Sequence, residues 1–280
     1  MPGSALAIMT NAGSLKAHSN LIRSGFALEK SIGRLSSGLR VQSAADDAAG
    51  LAVAENMRAQ LRGYQQASRN ANDGISIVQT AEAAYQSISD TLIRMRELAV
   101  EAANDSLSSV ERGFLDTEFQ DLTDEITRIS NVTEFNGINL LDGTAGDAGV
   151  MVFQVGTRAT INDRITVTLE DQDSTELGVE DDDVLTLATA QTSITAIDDA
   201  LESLNTDRAS LGSTINSLNV AVTNLSSTIE NYGAAVGTIR DADIGAESAE
   251  FAKHQVLQQA GVSMLSQANA LPNLALRLLG

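Results

Sequence analysis

Side chains able to do chemistry are few in this chain and poorly placed to cooperate. The two histidines, His18 and His254, lie at opposite ends of the 280 residues, and no HExxH pair occurs. That argues against a zinc hydrolase. Cysteine is absent, which removes thiolate nucleophiles, thiolate metal sites and disulfides. No glycine-rich loop carries GK[ST], so no P-loop is present. Two acidic runs approach a calcium-loop pattern. Counting from Asp171, Glu176 occupies the position of the turn glycine. Counting from Asp241, Ala246 does so and Ala252 stands twelfth, where a bidentate acid is needed. Both fail as EF-hands. Asp46 and Asp47 could form an acid–base pair, yet adjacent helix positions point in different directions, and helix-start charge is the preferred role. Asn104, Asn131 and Asn224 open N-x-[ST] triplets, which mean little without a secretory signal. These residues give no support to an enzyme, and no cofactor or metal is expected.

The bulk composition narrows the partners. Lys and Arg total 18 against 37 Asp and Glu, a net charge of −19. Phosphate backbones and anionic membranes repel such a chain, so no nucleic acid partner is expected. No apolar run approaches the roughly 18 residues of a membrane span, so no membrane insertion is expected. No basic region precedes the short apolar stretch Ala5–Met9, and the first Lys is Lys16. A cleaved general secretory signal is therefore not expected, which leaves a cytoplasmic location or export by a signal-independent route. Hydrophobic residues make up 43% of the chain but aromatic residues only 3%, so the core must be Leu, Ile, Val, Ala and Met.

Long helices supply that core. From Met57 an apolar series runs through Leu61, Tyr64, Ala67, Ala71, Ile75, Val78, Ala81, Tyr85, Ile88, Leu92, Met95 and Leu98, in steps of three and four. That predicts one continuous helix face over more than about 40 residues, roughly 60 Å long. A second series joins Leu115, Phe119, Leu122, Ile126 and Ile129. A third runs Ile194, Ile197, Leu201, Leu204, Leu211, Ile215, Leu218, Val222, Leu225, Ile229, Tyr232, Val236 and Ile239. Only Arg208 interrupts it, either as a register-setting polar residue or as a paired charge. Three narrow stripes near a 3.5-residue period predict a coiled-coil bundle. Its core is expected to contain Leu61, Ile75, Val78, Ile88, Leu92, Leu122, Ile126, Leu211, Ile215, Leu218, Val222 and Leu225.

Between the second and third stripes the texture changes. Asn136-Gly137 and Asp142-Gly143 are turn dipeptides. Val150, Val152 and Val155, then Ile165, Val167 and Leu169 alternating with polar residues, predict two strands joined by a loop over 156–163. The acidic segment Asp171–Asp183 reads as a solvated connection. The termini, 1–45 and 242–280, are rich in Ala, Ser, Gly and Gln. Their stripes are looser: Leu28, Ile32, Leu35 and Leu39 in front, Leu257, Gly261, Met264, Ala268 and Leu271 behind. Ser36-Ser37-Gly38 marks a helix break, and Ser43 with Asp46 fits a capping box for the next helix. The end helices hold too little large apolar area to fold alone, but small residues suit close packing on other helices, including those of neighbouring copies.

Several long motifs, in order, resemble the bacterial flagellin family. They are Glu29–Glu82, including RNANDGIS at Arg69–Ser76; IRMRELAVEAAND at Ile93–Asp105; FNGINLLDG at Phe135–Gly143; FQVG at Phe153–Gly156; and Val256–Gly280, including QQAGVSMLSQAN at Gln258–Asn269. The resemblance implies a mainly α fold: a long antiparallel coiled-coil helix bundle built from both chain ends, with a small β-hairpin region at about 140–185. It implies that 1–45 plus 242–280 form the inner filament tube and 46–241 the next layer. Only about 50 residues separate Asp142 from Ile194, so the large outer domains of longer members are not expected. The implied function is a subunit that self-assembles, as a homopolymer, into the helical filament of the flagellum and serves motility. A hook–filament junction protein is the alternative, which the unbroken RNANDGIS and QQAGVSMLSQAN runs disfavour. The implied location is extracellular, after export through the flagellum's own type III apparatus. Implied partners are that apparatus, an export chaperone, the filament cap and hook-junction proteins. A host Toll-like receptor is a further implied partner, with Arg94, Leu98 and Glu118 at matching contact positions and Glu101 where the family usually carries Gln. The same strip could instead bind the next subunit.

Overall fold

In the computed structural model, the backbone is described for residues 11–279 and the side chains for residues 11–270. Residues 1–10 and Gly280 of the expected terminal segments, and the side chain of Leu271, lie outside the described residues. The described elements are α1 (Ala12–Ser37), α2 (Ala48–Ala102), α3 (Ser109–Val132), β1 (Glu134–Phe135), β2 (Ile138–Asn139), β3 (Val150–Gln154), β4 (Arg164–Thr168), α4 (Leu187–Arg240) and α5 (Ile244–Leu279). The chain divides into two compact units, one of Met1–Ala59 with Tyr232–Gly280, the other of Gln60–Asn231. This division falls inside α2 and α4, where the sequence motifs suggested breaks near 45 and 242.

In the second unit, α3 and α4 both run antiparallel to α2. Arg94 of α2 reaches Glu118 of α3, while Arg96 and Glu82 of α2 meet Asp198 and Arg208 of α4. The seam on α2 repeats every seven residues in two interleaved series. One is Ala67, Gly74, Ala81, Ile88, Met95 and Ala102; the other is Ala71, Val78, Tyr85, Leu92 and Ala99; all are buried. On α4 the buried residues Ala190, Ile197, Leu204, Leu211, Leu218 and Leu225 also recur every seven. Such spacing keeps one edge of each helix facing its partner, as in coiled coils. Of the expected core, Val78, Ile88, Leu92, Ile126, Leu211, Leu218 and Leu225 are buried. Leu61, Ile75, Leu122, Ile215 and Val222 are only partly buried. Ile75 lies off the seam because the seven-residue register passes through Gly74 instead. The Phe153 ring of β3 covers that glycine so closely that an added Cβ would sit 3.1 Å from it. A residue without a side chain is invisible to an apolar stripe, so the sequence pattern settles on its neighbour.

Arg208 is a paired charge, donating to Glu82 at 2.8 Å and to Gln86 at 2.7 Å. The turn Asn136-Gly137 connects β1 and β2 with both residues at positive φ, 52° and 78°, the backbone of a tight type I′ hairpin. Strands β3 and β4 pair antiparallel from Val150–Thr168 to Gln154–Arg164. Asn70 of α2 donates to the Gln154 carbonyl at 3.0 Å, fixing this hairpin to the helix.

The acidic connection differs from expectation. Leu177, Val179 and Val184 are buried in the core cluster, as are Gln172 and Ser174. Its backbone is fastened to α3 and α4. Gln120 donates to the Asp182 carbonyl at 2.8 Å, the Val184 amide to Asp116 at 2.9 Å, and Ser193 to the Asp183 carbonyl at 2.9 Å. Irregular spacing hides its apolar residues from a periodicity search, and exposed acids such as Glu176, Glu180 and Asp181 lie among them. The Ser43 box also differs. Ser43 Oγ donates to Asp46 in a turn preceding the helix, and Asp47 accepts from the Gly50 amide at 2.9 Å at the start of α2.

Leu218 has no exposed surface, whereas Asn216 is exposed on the same helix. Leu218→Asp buries an unpaired carboxylate at a cost of several kcal/mol. Its thermal melt by circular dichroism should fall sharply, with loss of motility, while Asn216→Asp melts like the parent. Equal helicity and equal melting of both variants would contradict this seam.

Candidate functional site

In the terminal unit, α1 and α5 lie antiparallel. Asn11 caps α1 by accepting from the Ser14 amide and donates to the Ala268 carbonyl at 2.7 Å. Ser14 donates to Asn269 at 2.7 Å, and Arg34 meets Glu247 at 3.4 Å toward the other end. Between these ends Leu21 rests on Gly261, where an added Cβ would lie 3.1 Å away. Small residues allow this close approach but bury little. Ser31 is the one buried residue of α1, and no described side chain of α5 is buried. Large apolar groups face outward along the pair: Phe26 is 68% exposed, Leu15 64%, Val256 63% and Met264 59%. Two shallow grooves flank the pair. One is lined by Leu21, Leu257 and Met264, the other by Leu28, Ile32, Phe251 and Val262. A helix pair with apolar residues on its outer faces carries the signature of a surface that associates.

The two helix breaks of this unit are stitched together. Gly38 ends α1 in the left-handed region, and its carbonyl accepts from the Ala242 amide at 2.9 Å. The Arg40 amide donates to the Arg240 carbonyl at 2.7 Å, and the Arg40 guanidinium donates to the Ile239 carbonyl at 2.7 Å. Arg240 in turn pairs with Glu55. Lys30 meets Asp46 at 2.7 Å and, with the hydrogen bonds from residues 42 and 43, holds that carboxyl down to about 2.

In the second unit, the four residues of the receptor strip are placed unequally. Arg94, Glu101 and Glu118 are exposed, but Leu98 is 1% exposed and belongs to the core. Leu98 ends the apolar stripe of α2 that also holds Met95, and it packs in the core cluster with that stripe. Arg94 is held by Glu118 at 2.7 Å and Glu97 at 2.9 Å, which raises its already high pKa. A buried polar cluster lies deeper. Gln172 donates to Asp207 at 2.9 Å beside the fully buried Tyr85, and burial pushes both the Asp207 carboxyl and the Tyr85 phenol upward. It ties the acidic connection to α4. Sequence periodicity gave no sign of it, since Gln172 and Asp207 fall outside every stripe.

Exposed apolar helices together with a coiled-coil bundle are the features of a structural subunit rather than of a catalytic site. The model of the bacterial flagellin N-terminal helical region matches residues 8–146, and that of the C-terminal helical region matches residues 194–279. A flagellin of Halalkalibacterium halodurans is 40% identical over 96% of this chain and 98% of its own length. One of Bacillus subtilis is 39% identical over the same shares. The crystal structure of Bacillus cereus flagellin is 35% identical and superposes with a TM-score of 0.50, covering 60% of this chain and 94% of that one. The chain belongs to the bacterial flagellin family and is a filament subunit of the flagellum, a structural protein that forms a homopolymer. Flagellins of this family build the flagellar filament, which is extracellular. No described helix is long and apolar enough to cross a membrane.

Proposed function

We propose that the α1–α5 pair is the polymerising surface of this subunit and that the coiled-coil unit is its self-supporting body. The observation that carries this is the contrast in burial. The coiled-coil unit closes a continuous core from Ile77 to Leu211, whereas Phe26, Leu15, Val256 and Met264 of the terminal pair stay in solvent. Stacking α1–α5 pairs of neighbouring copies into an inner tube covers those groups. Helices with so little internal burial are marginal on their own, so they gain most of their order on assembly. Export through the flagellum's own type III apparatus, with a chaperone shielding the apolar ends, delivers such a subunit to the growing tip beneath the filament cap. The first subunits meet the hook-junction proteins, and the mature chain is secreted and extracellular. Phe26→Ser removes exposed apolar area without touching the coiled coil. It should raise the critical concentration for seeded polymerisation about tenfold, with the melting of the bundle unchanged. A parental critical concentration would remove α1 from the interface.

A second role falls to Arg94, Glu101 and Glu118. In a free monomer they form an exposed charged strip that a Toll-like receptor could read, with Arg94 as its centre. Glu118 and Glu97 compete for that guanidinium, and Glu101 lacks the donor an amide would offer, so activation is weak. Monomer should activate receptor reporter cells measurably, Arg94→Ala should abolish this, and Glu101→Gln should increase it. An Arg94→Ala protein that signals as well as its parent leaves the strip with a role in assembly alone.

A further inference from the structure

The chain carries 6 methionines, of which Met57, Met95, Met151 and Met264 lie among the residues whose side chains are described. Met95 is fully buried in the coiled-coil seam, and Met57 and Met151 are half-buried. Met264, on α5, is the exposed one of these. It stands one turn beyond Gly261, at the place where Leu21 of α1 makes its close approach. With Gly261, Leu257, Leu21 and Ala17 it lines a single groove. The contacts of Ser14 with Asn269 and of Leu21 with Gly261 bracket this position. Helix α1 therefore meets Met264 at the level of Ala17, whose methyl group is too short to cover a thioether. Side chains of this type are oxidised according to their exposure, which singles out Met264 among the described four.

We propose that Met264 is an oxidation site on the free subunit and that its sulfoxide blocks incorporation into the polymer. This rests on the reading of α1–α5 as the polymerising surface. The oxidant is a peroxide. The thioether sulfur attacks one oxygen of hydrogen peroxide and the O–O bond breaks. The hydroxide that leaves takes the proton from the sulfur-bound oxygen, so the products are the sulfoxide and water. Sulfur is oxidised and the peroxide reduced. The reaction turns a flexible apolar side chain into a polar one with a strong acceptor oxygen. In the monomer that oxygen is hydrated without cost. Covering it with a neighbouring copy strips the water away, a penalty the thioether does not carry. The contact that the sulfoxide opposes also shields the thioether once it has formed. Oxidant therefore halts growth without dismantling existing polymer, and methionine sulfoxide reductases reverse the block on the free subunit.

The test treats the full-length monomer with hydrogen peroxide, maps its sulfoxides by peptide mass spectrometry and measures its critical concentration on filament seeds. Met264→Leu, which keeps an apolar side chain of similar volume, is treated alongside. Met264→Gln, polar like the sulfoxide, is measured untreated. Met1 and Met9, outside the described residues, and the other methionines are common to parent and Met264→Leu, so the difference between those two reports Met264 alone. Met264 should oxidise about tenfold faster than Met95 in the monomer and resist oxidation in filaments. The treated parent's critical concentration should rise about tenfold and return to its starting value after incubation with sulfoxide reductases. Treated Met264→Leu should keep its untreated value, and Met264→Gln should match the oxidised parent. A treated Met264→Leu that loses assembly as the parent does overturns the proposal, and so does a Met264→Gln with the parental critical concentration. Failure of the underlying reading looks different: Met264 would then oxidise as fast in filaments as in the monomer.

Discussion

The seven-residue seam between α2 and α4 is the constraint on which the second unit depends. Helices of 55 and 54 residues stay in register over many turns only if their apolar edges keep facing each other, and a repeat of seven achieves this in gently supercoiled helices. Small residues such as Ala67, Ala71 and Ala81 and large ones such as Tyr85, Ile88, Leu92 and Met95 share the buried edge of α2. Everything else in the unit is attached to it: α3 folds back along α2, the β3–β4 hairpin seats Phe153 on Gly74, and the acidic connection inserts Leu177, Val179 and Val184 beside it. Arg208 marks the one break in the apolar series of α4, and Glu82 and Gln86 answer it from α2.

The terminal unit follows the opposite logic. Its helices pair through Gly and Ser contacts that bring backbones close, and the apolar groups that would make a core face outward. Charge is divided in the same way, with near neutrality where copies are proposed to meet and a strong negative excess on the coiled-coil unit. A subunit of this kind can remain soluble through its acidic body while its ends await partners. The hydrogen-bonded pair of linkers around Gly38 and Arg240 joins the two helix breaks, so that the chain leaves α1 and enters α5 at one place.

Much of this was readable from residue spacing. The three long helices, the hairpin strands and the Gly38 break all follow from periodicity or turn chemistry, whereas spacing left Arg208 either a register-setting residue or a paired charge. Other features were not readable, for particular reasons. Gly74 has no side chain to register on a stripe, so Ile75 took its place. Leu98 stands both on the strip of Arg94 and at the end of the apolar stripe of α2, and spacing alone does not choose between the two. Gln172 and Asp207 lie 35 residues apart in the chain and meet through tertiary folding alone. The acidic connection hides its buried residues among carboxylates, where composition dominates any pattern.

The central claim is a division of labour between a body that folds alone and ends that are ordered by their neighbours. Amide hydrogen exchange compared between monomer and filament tests it most directly. The account predicts slow exchange in the seam, residues 78–99 of α2 and 197–218 of α4, in both states. It predicts fast exchange in residues 12–37 and 244–270 of the monomer, with protection gained there on polymerisation. Terminal helices already as protected in the monomer as the seam would contradict it.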